Sequence, residues 1–161
     1  MQRAYLILGL LSVLPALSAP SPFAGKWVRQ EIKGRPRIFW EISFQEKTMT
    51  LTETSEAGKP IRTGVYYLDG SPARSSPPNQ PNHQVISRIE SRSDRRVVIS
   101  DETHGPAVQG SSMRVRETWE LVDNGDTLKA IRQVESLDSP IRFGDVVQLF
   151  YRTPQTSSPP K

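Results

Sequence analysis

Apolar and polar side chains alternate along most of this chain, in short runs rich in β-branched and aromatic residues. The runs are 26–32 (KWVRQEI), 37–44 (RIFWEISF), 48–54 (TMTLTET), 64–70 (GVYYLDG), 83–90 (HQVISRIE), 95–102 (RRVVISDE), 111–122, 127–135 (TLKAIRQVE) and 146–153 (VVQLFYRT). A period of two places one face of each run in a core and the other in water, which is the signature of half-buried strands. Turn chemistry separates them: Lys33-Gly34-Arg35-Pro36, Gln45-Glu46-Lys47, Ala57-Gly58-Lys59-Pro60, Asp69-Gly70-Ser71-Pro72, Ser93-Asp94 and Asp123-Asn124-Gly125-Asp126. No segment sustains a helical period. Regularly spaced strands of this kind predict an all-β, antiparallel barrel or sandwich.

The hairpin at Asn124-Gly125 carries the sharpest local prediction. Both positions of a two-residue type I′ turn need positive φ, and Asn-Gly supplies them. A loop of those two residues pairs Leu121 with Leu128, Trp119 with Ala130, Glu117 with Arg132 and Val115 with Val134. Two apolar faces then meet, each with one charge, and the charges lie opposite one another. A buried charge is costly unless paired, so Glu117 and Arg132 are read as an ion pair inside the barrel, touching a ligand or closing its base. The alternative is a solvated pair near a barrel mouth, which contributes little.

Two segments stand outside the strand pattern. The Pro/Ser-rich stretch 71–82 is expected to be a loop between strands, and 154–161 a tail too poor in apolar residues to order. The N-terminus reads as a cleaved signal peptide over 1–18. Arg3 precedes an apolar run from Ala4 to Leu14, and Ala16-Leu17-Ser18 supplies small residues for cleavage after Ser18. The run is too short for a bilayer, which needs about 20 residues. This gives one domain over 19–153, secreted or periplasmic, with no transmembrane anchor.

Cysteine is absent, which removes disulfides, thiolate ligands, a cysteine nucleophile and a lipidated cysteine. The 21 basic residues exceed the 17 acidic ones by only four, and the two signs alternate along the strands. A nucleic-acid reader would instead show a basic stripe with stacking aromatics, so no nucleic-acid partner is expected. Glu102 and His104 share a strand face but give only two metal ligands where zinc takes three or four. No metal, cofactor or catalytic residue is assigned.

Gly25-Lys26-Trp27 at the head of the first strand, with Arg152 in the last, resembles the lipocalin arrangement. There, an arginine lies across the tryptophan ring and plugs the closed end of the barrel. The stretches 57–70, 86–100 and 119–136, ending in VVQLFYRT, resemble secreted bacterial lipocalin-like proteins over most of 23–153. The chain lacks the mid-chain Thr-Asp-Tyr motif and the late helix of lipocalins proper, so the broader calycin-type group is the better comparison. The resemblance implies an up-and-down lipocalin-like barrel or half-barrel of eight to ten strands, with Trp27 and Arg152 as a structural plug.

The function expected on this basis is non-enzymatic: an exported monomer holding a small lipophilic molecule in the barrel. Trp40, Tyr66, Glu117, Trp119 and Arg132 are the candidate cavity residues. The alternative is an envelope interaction module with a filled core, its exposed Arg88, Arg92, Arg95 and Arg96 meeting an anionic partner. A hydrolase or isomerase using the barrel as a pocket is the third class, and would need a titratable pair deep in a pocket.

Overall fold

The structure is a computed structural model that describes residues 21–77, 80–106 and 112–154. The leader over 1–18 and residues 155–161 of the tail lie outside those residues. Ten strands follow one another: β1 (Gly25–Arg29), β2 (Ile38–Phe44), β3 (Thr48–Ser55), β4 (Pro60–Tyr67), β5 (Ala73–Ser75), β6 (Gln84–Arg92), β7 (Arg96–His104), β8 (Met113–Val122), β9 (Thr127–Ser136) and β10 (Val146–Arg152). All pairings are antiparallel, and the sheet order is β4-β3-β2-β1-β10-β9-β8-β7-β6-β5. The first and last strands are hydrogen-bonded neighbours, so the meander curls into a nearly closed barrel. β4 comes alongside β5 and β6 without forming a ladder with either, which leaves one seam in the wall. Among the described residues, no helix is long and apolar enough to cross a membrane.

Two strands differ from the sequence reading. β4 starts at Pro60, four residues before the run read as its beginning. Proline is tolerated at the first residue of a strand on a sheet edge, where no partner needs its missing N–H. Inside the stretch read as a loop, Ala73–Ser75 form a short strand paired with β6. Three residues are too few to show a period in sequence.

The β8–β9 turn closes as the Asn-Gly pair requires. Asn124 and Gly125 both have positive φ, 57° and 97°, and the Asp126 N–H donates to the Asp123 carbonyl at 3.1 Å. The paired register runs Leu121 to Leu128, Trp119 to Ala130, Glu117 to Arg132 and Val115 to Val134.

The lower half of the interior is solid. Phe23, Trp27, Trp40, Ile42, Met49, Leu51, Tyr66, Ile99, Trp119, Leu128 and Phe150 are all essentially without exposure. Trp40 stacks on Phe150 with 4.0 Å between centroids and tilts against Trp119 at 5.3 Å. Each such ring removed from water is worth about 1.5–3 kcal/mol, so this half of the barrel is the stabilising core.

Candidate functional site

Above that core the inward-facing positions change character at one level. The strand registers place Glu53 opposite Arg62, Glu117 opposite Arg132 and Asp101 opposite Ser87. Successive side chains on a strand point to opposite faces, so these residues lie inward, one step above Leu51, Gly64, Trp119, Ala130 and Ile99. Five ionisable side chains thus form a single tier across the barrel.

Glu117 is its centre, with 2% of its side chain exposed. Arg62 donates to both of its oxygens, at 3.0 Å to Oε1 and 3.2 Å to Oε2. Arg132 donates from Nε to Oε1 at 2.8 Å, and the Trp119 indole N–H donates to Oε2 at 3.0 Å. Burial alone would raise the Glu117 pKa. The charges of Arg62 and Arg132 and the bonds from Arg62 and Trp119 outweigh it and hold the carboxyl below its ordinary value. Burial likewise pulls on the Arg62 guanidinium, yet Glu117 keeps it above the ordinary arginine value.

The other two carboxylates are held more loosely. Glu53 stands 3.8 Å from Arg62 and 3.9 Å from Arg132, and Asp101 stands 3.7 Å from Arg62. The Tyr66 hydroxyl donates to Asp101 Oδ2 at 3.0 Å. Burial raises the Asp101 pKa, and the Ser87 hydroxyl, Arg62 and Tyr66 offset that only in part. Burial first, then the Asp101 charge, push the Tyr66 phenol well above its ordinary value.

Gly64 makes this geometry possible. A Cβ there would sit 2.6 Å from the Tyr66 hydroxyl oxygen, so the ring lies where a side chain at position 64 would be. Tyr66 and Arg62 both belong to β4, while Asp101 and Glu117 belong to β7 and β8. Their contacts therefore span the barrel beneath the seam.

Above the tier, toward the β1–β2, β3–β4 and β9–β10 loops, the inward positions Ser55, Val85, Thr103, Val115 and Val134 are only half-buried. Among the described residues these half-buried, partly apolar positions stand directly above the ionic tier. The opposite end is plugged. The Arg152 guanidinium lies 4.2 Å over the Trp27 ring and donates to the carbonyls of Ala24, Pro22 and Gly125 at 3.0, 2.7 and 3.2 Å. Trp27 donates its indole N–H to Phe23.

The structure therefore brings Glu117 and Arg132 together, with Tyr66 one contact away through Asp101. Trp40, Tyr66 and Trp119 were expected to line a cavity. Their rings pack in the filled half, and only the Tyr66 hydroxyl and the Trp119 indole N–H reach the tier. Arg62, Glu53 and Asp101 were missed. For Arg62 a signal existed, since it lies four residues from Tyr66 and so shares its face. Glu102 and His104 point outward, 3.5 Å apart, with Glu102 also bound by Arg114. Among the described residues no three His, Asp or Glu side chains are grouped to hold a metal.

No protein-family model matches the sequence, and no curated protein is similar to it at a significant level. Among solved structures, the chain is similar to a secretary abundant heat soluble (SAHS) protein from Ramazzottius varieornatus. The TM-score is 0.59 at 9% identity, over 84% of this chain and 98% of that one. At that identity the likeness is one of fold, and the fold it supports is the nearly closed, lipocalin-like antiparallel barrel.

Proposed function

We propose that this chain is an exported, non-enzymatic binding protein that holds a small ligand, largely apolar in body, in the open half of its barrel. One observation carries the reading: Ser55, Val85, Thr103, Val115 and Val134, inward positions beyond the charged tier, are only half-buried, while most inward side chains on its other side belong to the buried core. A recess walled by Val85, Val115 and Val134 suits an apolar body, while the tier offers polar contact at its floor. The Glu117 oxygens are committed to Arg62, Arg132 and Trp119, which argues for a fixed platform over a proton-transfer group. Export rests on the apolar N-terminal run.

Native mass spectrometry of the chain recovered from its host's exported fraction tests both parts. The expected result is a mature mass set by cleavage after Ser18, carrying a reproducible small-molecule adduct. A bare chain that also fails to bind an apolar fluorophore would end the carrier reading.

A second reading rests on Arg88, Arg92, Arg95 and Arg96, all exposed on or between β6 and β7. Arg95 and Arg96 are engaged by the Leu121 carbonyl and by Glu120. This surface would suit an anionic envelope polymer, and salt-sensitive retention on such a polymer is the outcome that would favour it.

A further inference from the structure

The seam beside β4 is closed differently at its two ends. At the plugged end, the connection over 68–72 joins β4 to β5. Gly70, at φ 79°, packs so closely on β6 there that a Cβ would lie 3.2 Å from the Ile89 carbonyl oxygen. At the other end, β4 begins at Pro60 after the exposed β3–β4 loop. Among the described residues no main-chain hydrogen bond runs from β4 to β5 or β6. Side chains hold the strand in place instead. Arg62, the third residue of β4, reaches Glu117 and Asp101, and Tyr66, its last but one, reaches Asp101.

The charges of the tier divide along the same line. Glu53 lies on β3, opposite Arg62 in the ladder and 3.8 Å from it. Arg132 lies on β9 and holds Glu117 at 2.8 Å from Nε and 2.7 Å from Nη2, while Trp119 donates a third bond at 3.0 Å. If the β3–β4 hairpin moves outward, Arg62 leaves with Glu53, and Glu117 keeps Arg132 and Trp119. Neither side is left with a buried charge lacking a partner, which is what makes breaking a buried pair costly. The other contacts given up are looser: Arg62 to Asp101 at 3.7 Å and Arg132 to Glu53 at 3.9 Å. Arg62 is already 23% exposed, so water can take the place of Glu117.

We propose that the β3–β4 hairpin is a hinged flap that swings away from β5 and β6 about the connection over 68–72, with Arg62 as its latch. Arg62 lies far from the hinge and Tyr66 close to it, so a rotation there moves Arg62 the further of the two. The motion changes the curl of the sheet and breaks no ladder. It widens the end of the barrel at which half-buried Ser55 and Val85 stand on the two sides of the seam. The flap is a property of the wall and does not depend on the ligand reading.

The absence of cysteine allows two spin labels to be placed cleanly. Ile61→Cys and Arg88→Cys put them on exposed positions of β4 and β6. Pulsed electron paramagnetic resonance on the ligand-free chain then reads the distance distribution across the seam. With Arg62 in place, one short distance is expected to dominate. In Arg62→Met a longer-distance population is expected to grow at least about fivefold. Arg152→Lys, at the plugged end, is expected to leave the distribution as it is. An unchanged distribution in Arg62→Met, or an equal widening in Arg152→Lys, would overturn the proposal. Should Arg62→Met lose the native circular dichroism spectrum, Arg62→Lys carries the same test, because an ammonium cannot hold both Glu117 oxygens as the fork does.

Discussion

Arg62 and Glu117 are 55 positions apart in sequence and joined by two parallel hydrogen bonds of 3.0 and 3.2 Å across the interior of the barrel. Bidentate guanidinium–carboxylate pairs are among the strongest polar contacts available to side chains. Removing the Glu117 charge leaves Arg62 and Arg132 with only the more distant Glu53, at 3.8 and 3.9 Å, as a shared carboxylate. Glu117→Gln is expected to cost toward the lower end of the roughly 3–5 kcal/mol typical of a broken buried pair, since both arginines keep some solvent. Urea unfolding measures it, and a loss below about 1 kcal/mol would mean that the tier behaves as a solvated surface pair.

The two buried carboxyls should respond to pH in opposite senses. The folded pKa of Glu117 lies below its unfolded value. Its contribution is therefore present above the unfolded carboxylate range and lost as pH falls through the folded value. The folded pKa of Asp101 is raised, so its contribution is full below the unfolded aspartate value and lost as pH rises through the folded one. Asp101→Asn should consequently be more stable than the parent at neutral pH, with the difference vanishing in acid. Urea midpoints of both proteins across that range decide the matter, and a neutral-pH loss of stability would refute the sign.

Gly64→Ala places a methyl 2.6 Å from the Tyr66 hydroxyl oxygen, inside the space of a ring that is fully buried and tied to Asp101. The ring has nowhere to move without breaking that bond, so the change is expected to cost about 1–3 kcal/mol. Thermal unfolding provides the number. If the methyl is absorbed without loss, Tyr66 has another position that keeps its hydrogen bond.

At the plugged end, Arg152→Lys keeps the charge but not the fork. Arg152 reaches three carbonyls from two nitrogens while its plane lies over Trp27. A lysine is a point charge and cannot hold all of these contacts at once. A loss of about 1–2 kcal/mol is expected, combining part of the cation–π contact with the lost hydrogen bonds. Hydrogen exchange should quicken around Ala24 and Gly125, while binding at the far end of the barrel should not change.

Legibility of the sequence followed how local each cause was. The β8–β9 register could be read because Asn124 and Gly125 fix the turn, and the turn fixes every pair above it. The Trp27–Arg152 contact was anticipated from a resemblance, whereas Glu117 facing Arg132 followed from counting along two strands. Arg62 was hidden by the late start given to β4, which cut the residue from the strand whose face it shares. Asp101 falls on the strand face opposite Glu102 by simple alternation, yet whether that face is inward and which strands meet it depends on how far the sheet curls. That curvature is a property of the whole wall, set by twist and closure, and no single run of residues encodes it. The same is true of Trp40 and Trp119, since a ring that fills a core and one that lines a cavity have the same neighbours in sequence.

The seam between β4 and β5 has a topological consequence. In a meander whose ends fail to meet, the break in the wall coincides with the chain termini. Here β1 and β10 are zipped together, and the break falls in mid-chain, between strands joined by the short connection over 68–72. The strand order is a circle opened at a place where the polypeptide is continuous. A permuted chain beginning at β5 and ending at β4 would therefore lay its strands down in strict spatial order, from one edge of the sheet to the other. The wall can part at this line without losing a main-chain ladder, with Tyr66, Asp101, Arg62 and Glu117 acting as its clasp.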